Sequence, residues 1–123
     1  MIPEIKYKQF VIIPRKPKMS AGKIASQTAH ATFMAIEKQL DLLHQYKLIK
    51  EWKQNGMCVI VLECSNSTQL LGIAKYLEQW KIPHHLYIDE GITEIPMGTP
   101  TALATGVMPQ EQHWMLSQLS LFR

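Results

Sequence analysis

The sequence predicts a three-layer α/β/α fold with a mixed four-stranded sheet, and three observations carry that expectation. Short strand-like runs alternate with longer stretches of helical period. Cap and turn residues separate them at each boundary. A hairpin-like link joins the last two strands, which a wholly parallel sheet would not permit. A chain of 123 residues is long enough for one domain, spanning 1–123, to bury a core without disulfide staples.

Taken in order, residues 5–13 alternate and then run apolar through Phe10, Val11, Ile12 and Ile13, as in a strand covered on both faces. Pro14 and Pro17 end it and leave a basic loop from Arg15 to Lys18. Ser20 is placed to cap a helix reaching about Leu43, and a second helical piece covers 48–54 before Asn55-Gly56 stops it. Residues 57–64 form a second buried strand. Ser65-Asn66-Ser67 then starts a helix over 68–80, which Pro83 breaks. A short strand over 84–89 ends in an acid. A loop rich in Gly, Pro and Thr follows, then a strand over 101–105, and Pro109 opens a last helix through about Leu119.

Composition narrows the class. With 46% hydrophobic and 19% charged residues the chain reads as globular, without repeats or low-complexity segments. Residues 1–8 alternate polar and apolar with no long apolar run behind them, so no secretory signal is expected. The apolar run 57–62 is far short of the roughly 20 residues a membrane span needs. Cys58 and Cys64 lie about 20 Å apart in one expected strand, too far to bridge. Reduced thiols and a cytoplasmic location follow. The net charge of +3 is uneven: residues 1–23 carry +5 and the remainder −2. Such a cluster attracts a phosphate backbone, although a merely solvated face has the same composition.

The first helix carries the densest pattern. At 100° per residue from Lys23, the residues Ala25, Ala29, Phe33, Ile36, Leu40 and Leu43 fall within an arc of about 80°. That stripe is expected to meet the core. Gln27 and His30 fall beside Lys23 on the opposite side, so one face of the opening turns presents Lys, Gln and His together. Polar residues belong on a solvent face in any case. Gly22, however, lets a ligand approach the helix start, whose free N–H groups and dipole suit a phosphate or an oxyanion. Lys18 and Lys23 flank that end.

Other phosphate and metal patterns are absent. A P-loop would need glycine at position 17, which is proline, and no Gly-x-Gly-x-x-Gly occurs. No His-Glu-x-x-His or Cys-x-x-Cys spacing supports a metal. His84 and His85 are adjacent and so point to opposite faces of a strand. The second informative segment runs from Asp89 to Thr101. It places an acid at a strand end, then Thr93, Thr99 and Thr101 with glycines at 91 and 98. Those side chains can equally serve only to cap their own turns.

The stretch Lys18-Met19-Ser20-Ala21-Gly22-Lys23-Ile24-Ala25-Ser26-Gln27-Thr28-Ala29-His30-Ala31 resembles the opening motif of the type 2 peptidyl-tRNA hydrolases. Residues 89–106 are similar to the family's second signature, Asp-x-Gly-x-Thr-x-Ile-x-x-Gly-Thr-x-Thr-x-Leu, ending in Gly. The close, Leu119-Ser120-Leu121-Phe122, resembles its strand-like terminus. Departures exist: Arg15-Lys16-Pro17 stands where an acidic residue usually precedes Lys-Met, Ser26 replaces an alanine, and Glu90 replaces another.

The resemblance implies a homodimer without cofactor or metal that hydrolyses the ester between a peptide and tRNA. A non-catalytic RNA-binding or protein-interaction module on the same fold is the alternative. Ester hydrolysis requires a held water and donors for the oxyanion. Under the resemblance, Asp89 orients or deprotonates the water, Thr99 helps hold it, and Lys23 stabilises the oxyanion. Gln27, His30, Thr93, Gly98 and Thr101, with Gly22, position the tRNA end and the peptide. Arg15, Lys16 and Lys18 hold phosphates.

Overall fold

The computed structural model describes residues 5–91 and 94–123, so Thr93 lies outside the described residues. Strand β1 (Tyr7–Lys16) leads to helix α1 (Ala21–Asp41) and helix α2 (Tyr46–Gln54). Strand β2 (Val59–Asn66), helix α3 (Ser67–Gln79), strands β3 (His84–Ile88) and β4 (Pro100–Pro109) and a 3₁₀ helix (Gln110–Leu116) complete the chain. The sheet order is β2-β1-β4-β3, with β1 parallel to β2 and antiparallel to β4, and β3 antiparallel to β4. The sheet is therefore mixed, as the sequence predicts.

The continuous apolar run of β1 is explained by its place inside the sheet, where Val11, Ile12 and Ile13 are fully buried. Alternate residues then feed two different cores. Phe10, Ile12, Leu62 and Leu103 pack with Leu70 and Leu77 of α3 and Leu116 of the 3₁₀ helix. Val11, Ile13, Ala102 and Ala104 pack on the other face with Ala31 and Ala35 of α1. Helix α2 adds Ile49 and Trp52, against which Ile36 and Leu40 lie. The residues after the 3₁₀ helix run antiparallel along the outer edge of β2, bonded Glu63 N to Ser120 O at 2.9 Å and Phe122 N to Val61 O at 2.9 Å.

Helix α1 corrects the expected orientation. Its buried residues are Gln27, Ala31, Ala35 and Gln39, spaced by four. The apolar stripe instead faces outward in part: Ala25, Ala29 and Leu43 are exposed, and Phe33 is 65% exposed. Hydrophobicity points the wrong way because two glutamines belong to the inner face. Small alanines between them bring the helix close to the sheet, and each buried amide is satisfied there. Gln39 forms a strand-like pair with Val107, donating to its carbonyl at 3.0 Å and accepting from its N–H at 2.8 Å.

Two irregularities in β4 make room for these amides. Gln9 pairs with Val107 and Val11 with Ala104, so Thr105 and Gly106 together oppose Phe10. A side chain at Gly106 would place a Cβ 2.6 Å from Gln39 Oε1, which is why glycine is required there. Near the other end, Tyr87 pairs with Ala102 and Ile88 with Pro100, leaving Thr101 as the extra residue. Both devices extend β4 to Pro109, beyond the expected 101–105, and the last helix is a short 3₁₀ turn rather than an α-helix.

Candidate active site

Asp89 stands one residue past β3, at the free end of an edge strand, and is only 4% exposed. Its backbone closes the following loop, with Asp89 N donating to Thr99 O at 2.9 Å and Gly98 N to Asp89 O at 2.8 Å. Its carboxylate also folds onto its own turn, Oδ2 accepting from Gly91 N at 2.8 Å. Gly91 has φ of +76°, and a Cβ there would meet Met97 Cβ at 2.6 Å. Only glycine lets the chain turn tightly enough to bring that N–H to the carboxylate.

Helix α1 delivers the partners. Ser20 caps it, its hydroxyl accepting from Lys23 N at 3.2 Å, while the same hydroxyl donates to Glu94 at 2.7 Å. That second contact ties the helix start to the far side of the loop after Asp89. Lys23 and Gln27, one turn apart, then reach the acid on one face. Lys23 Nζ lies 2.6 Å from Asp89 Oδ1, with the two side chains 11% and 4% exposed. Gln27 Nε2 donates to Asp89 Oδ1 at 3.2 Å and to Thr101 Oγ1 at 2.7 Å, which uses both amide hydrogens. The β4 bulge turns Thr101 toward α1 although its neighbour Ala102 already packs there.

These contacts fix the charge of the site. The hydrogen bond from Lys23 holds the Asp89 carboxyl below its ordinary value, against the opposing effect of burial, with further help from Gly91 N–H, the Lys23 charge and Gln27. Asp89 is consequently a carboxylate throughout the neutral range. It accepts two donors on Oδ1 and one on Oδ2, which leaves acceptor capacity on Oδ2 for a water. Lys23 spends one of its three N–H groups on the carboxylate and can direct the others at a developing oxyanion.

The expected residues separate into groups. Lys23, Gln27, Asp89 and Thr101 form one network, and Gly98 and Thr99 join it through their backbones. The Thr99 hydroxyl donates to Pro96 O at 2.7 Å rather than to the acid. His30 lies outside the network, stacked on Tyr87 with ring centroids 4.7 Å apart. Gly22 is exposed with open space around it, and Lys16 and Lys18 are exposed. Arg15 is drawn to the opposite edge of the sheet, where it forms a two-pronged pair with Glu63 at 3.0 and 2.9 Å and lies 4.0 Å over the Phe122 ring.

Three contributors have no role assigned in the sequence reading. Gly91 acts through its N–H and Glu94 through a contact 74 residues away in sequence, for which no local signal exists. Tyr87 did carry one, lying two residues before Asp89 and therefore on the same face of the strand. The expected placement of Gln27 away from the core is also corrected, since it is 2% exposed.

Comparison with known proteins identifies relatives along most of the chain. The family model described as peptidyl-tRNA hydrolase PTH2 matches residues 7–122. A peptidyl-tRNA hydrolase from Thermococcus onnurineus is 36% identical over 106 residues, covering 86% of this chain and 88% of the relative. One from Methanopyrus kandleri is 32% identical, covering 86% and 89%. A probable peptidyl-tRNA hydrolase 2 from Dictyostelium discoideum is 31% identical over 85% of this chain and 49% of its own length.

Proposed function

The chain belongs to the peptidyl-tRNA hydrolase PTH2 family, and on that premise we propose that it hydrolyses peptidyl-tRNA at the Lys23–Asp89 pair. It is an enzyme of that type, cleaving the ester that joins a peptide to tRNA. The observation that carries the choice of site is a buried Lys–Asp pair, 2.6 Å apart, at the start of a helix and the end of a strand. Buried, partnered ionisable groups of this kind concentrate where chemistry occurs.

Hydrolysis forms a bond from water oxygen to the ester carbonyl carbon. The carbonyl electron pair moves onto oxygen, and collapse expels the ribose oxygen, which takes up the proton that the attacking water gives up. Asp89 orients the attacking water through its remaining acceptor position on Oδ2. A carboxyl held below its ordinary value is a weak proton acceptor, so orientation is its main role. Thr99 spends its hydroxyl hydrogen on Pro96 O and can accept a hydrogen from the same water. Lys23 stabilises the oxyanion. Gln27, buried between Asp89 and Thr101, holds the acid in place, while Gly22, Gly98, Thr93 and His30 position the tRNA end. Lys16 and Lys18, both exposed, engage phosphates; Arg15 contributes less because Glu63 already neutralises it.

Residues 1–123 act as one domain in this reading, and two copies pair. The outward apolar side of α1, with Phe33 65% exposed, supports a homodimer. No helix of the described residues is long and apolar enough to cross a membrane. Unpaired Cys58 and Cys64 accord with the reducing cytoplasm. The test of the activity is release of an N-acetylated amino acid from N-acetyl-aminoacyl-tRNA in the presence of chelator. Cleavage by the native protein and loss with Lys23→Ala are expected. Undiminished cleavage by the variant would move the site elsewhere.

A further inference from the structure

We propose that a recess beside β3, lined by Lys38, Lys75, His84 and His85, anchors a backbone phosphate of the same tRNA at a distance from the Lys23–Asp89 pair. The inference rests on the peptidyl-tRNA reading above and adds a binding site to it.

The recess has a volume of about 340 Å³ and wraps the edge strand, with Lys38 supplied by α1 and Lys75, Ala74 and Glu78 by α3. Two lysines face a single carboxylate, and neither Lys38, Lys75 nor Glu78 forms an ion pair among the described residues. The Lys38 ammonium has only the weak contact to His84 O, at 3.4 Å. His84 donates from Nδ1 to Ile82 O at 2.7 Å, so its other ring nitrogen is left for a ligand. The Nδ1 of His85 is buried without any hydrogen-bond partner. With Lys38 and Lys75 against Glu78 alone, the recess holds an excess of positive charge; burial first, and then the Lys38 charge, lower the pKa of His85. An anion would offset both lysine charges at once.

The position selects the anion. His85, Tyr87 and Asp89 alternate along the strand, and Lys38, His30 and Lys23 of α1 run past them in the opposite direction. His85 and Asp89 are four residue steps apart along the strand, about 13 Å. That is about four stacked nucleotides from the ester at the 3′ end. The His30–Tyr87 stack lies between, with His30 exposed, where an unpaired base can lie against it.

The test compares native protein, Lys38→Gln/Lys75→Gln and the charge-preserving Lys38→Arg/Lys75→Arg. Each is assayed on full-length N-acetyl-aminoacyl-tRNA and on N-acetyl-aminoacyl-adenosine, which lacks the distal phosphates. The Gln pair is expected to raise KM for the full-length substrate about tenfold with kcat unchanged and to leave the adenosine ester unaffected. The Arg pair is expected to restore binding. The salt slope for deacylated tRNA should become shallower by about one to two units in the Gln pair. An unchanged KM and slope would overturn the proposal and leave the recess to another anion, such as an acidic protein segment. Equal losses on both substrates would overturn it as well, by showing a structural effect. If the native protein cleaves neither substrate, the hydrolase reading fails, while the salt slope still decides the recess.

Discussion

The Lys23 ammonium lies 2.6 Å from Asp89 Oδ1 across 66 residues of sequence, and the rest of the site is arranged around that contact. Ser20 and Glu94 lock the helix start that carries the lysine, while Gly91 and Gly98 lock the loop that carries the acid. A buried pair of this kind contributes little net stability, because desolvation offsets most of the attraction. Its tight, partly dry geometry is better explained by chemistry than by folding.

Replacing Lys23 with Met should lower kcat/KM by about 10²–10³-fold, the usual cost of losing one oxyanion donor. It should also change the pH dependence of stability. In the native protein the folded pKa of Asp89 lies below the unfolded value, so its stabilisation is complete above about pH 4 and fades as pH falls through the folded value. In the variant the largest lowering contribution is gone and burial remains, so the folded and unfolded values converge and the acid loss of stability due to Asp89 should shrink. Thermal melts of both proteins from pH 3 to 7 check this; superimposable profiles would contradict the assigned cause.

Asp89→Asn keeps the shape but removes the charge and turns an NH2 toward either Lys23 and Gln27 or Gly91, which donate to the native carboxylate. Turnover of N-acetyl-aminoacyl-tRNA should fall by at least about 10²-fold, with affinity for deacylated tRNA retained. Turnover within a few-fold of native would remove Asp89 from the mechanism.

Gln27→Leu leaves Thr101 Oγ1 without its 2.7 Å donor and Asp89 with one donor fewer. Leaving buried acceptors unsatisfied costs about 1–3 kcal/mol. A drop of that size in urea-derived stability is expected, together with a lower kcat, because the acid loses a positional restraint. An unchanged midpoint in urea would show that water replaces the amide.

Gly91→Ala and Gly106→Ala separate site from scaffold. At Gly91 the new Cβ meets Met97 in the loop after Asp89, at positive φ, so activity should fall more than stability. At Gly106 it meets Gln39 inside the fold, 2.6 Å from Oε1, so stability should drop by about 1–3 kcal/mol. Parallel melts and kinetics on the two variants give the comparison, and the reverse ranking would refute it.

Much of this architecture is legible in local sequence. Ser20 and Asn66 cap α1 and α3 as short polar residues do, their side chains accepting from Lys23 N and Gln69 N. Asn55 and Gly56 stop α2, and the apolar run of β1 marks an interior strand. The two segments around Lys23 and Asp89 are likewise visible, through their resemblance to the family's two motifs.

What the linear pattern could not decide was the inner face of α1. Periodicity counts apolar side chains, and the apolar stripe through Ala25, Ala29 and Phe33 outvotes Gln27 and Gln39. The sheet reverses that vote because Thr101 at one bulge and Val107 beside the other offer hydrogen-bond partners to Gln27 and Gln39. Local sequence thus determined the elements, their order and the chemical groups available. Tertiary structure alone decided that Lys23, Gln27 and Asp89 meet, because a buried polar group can settle only where distant backbone and side chains satisfy it.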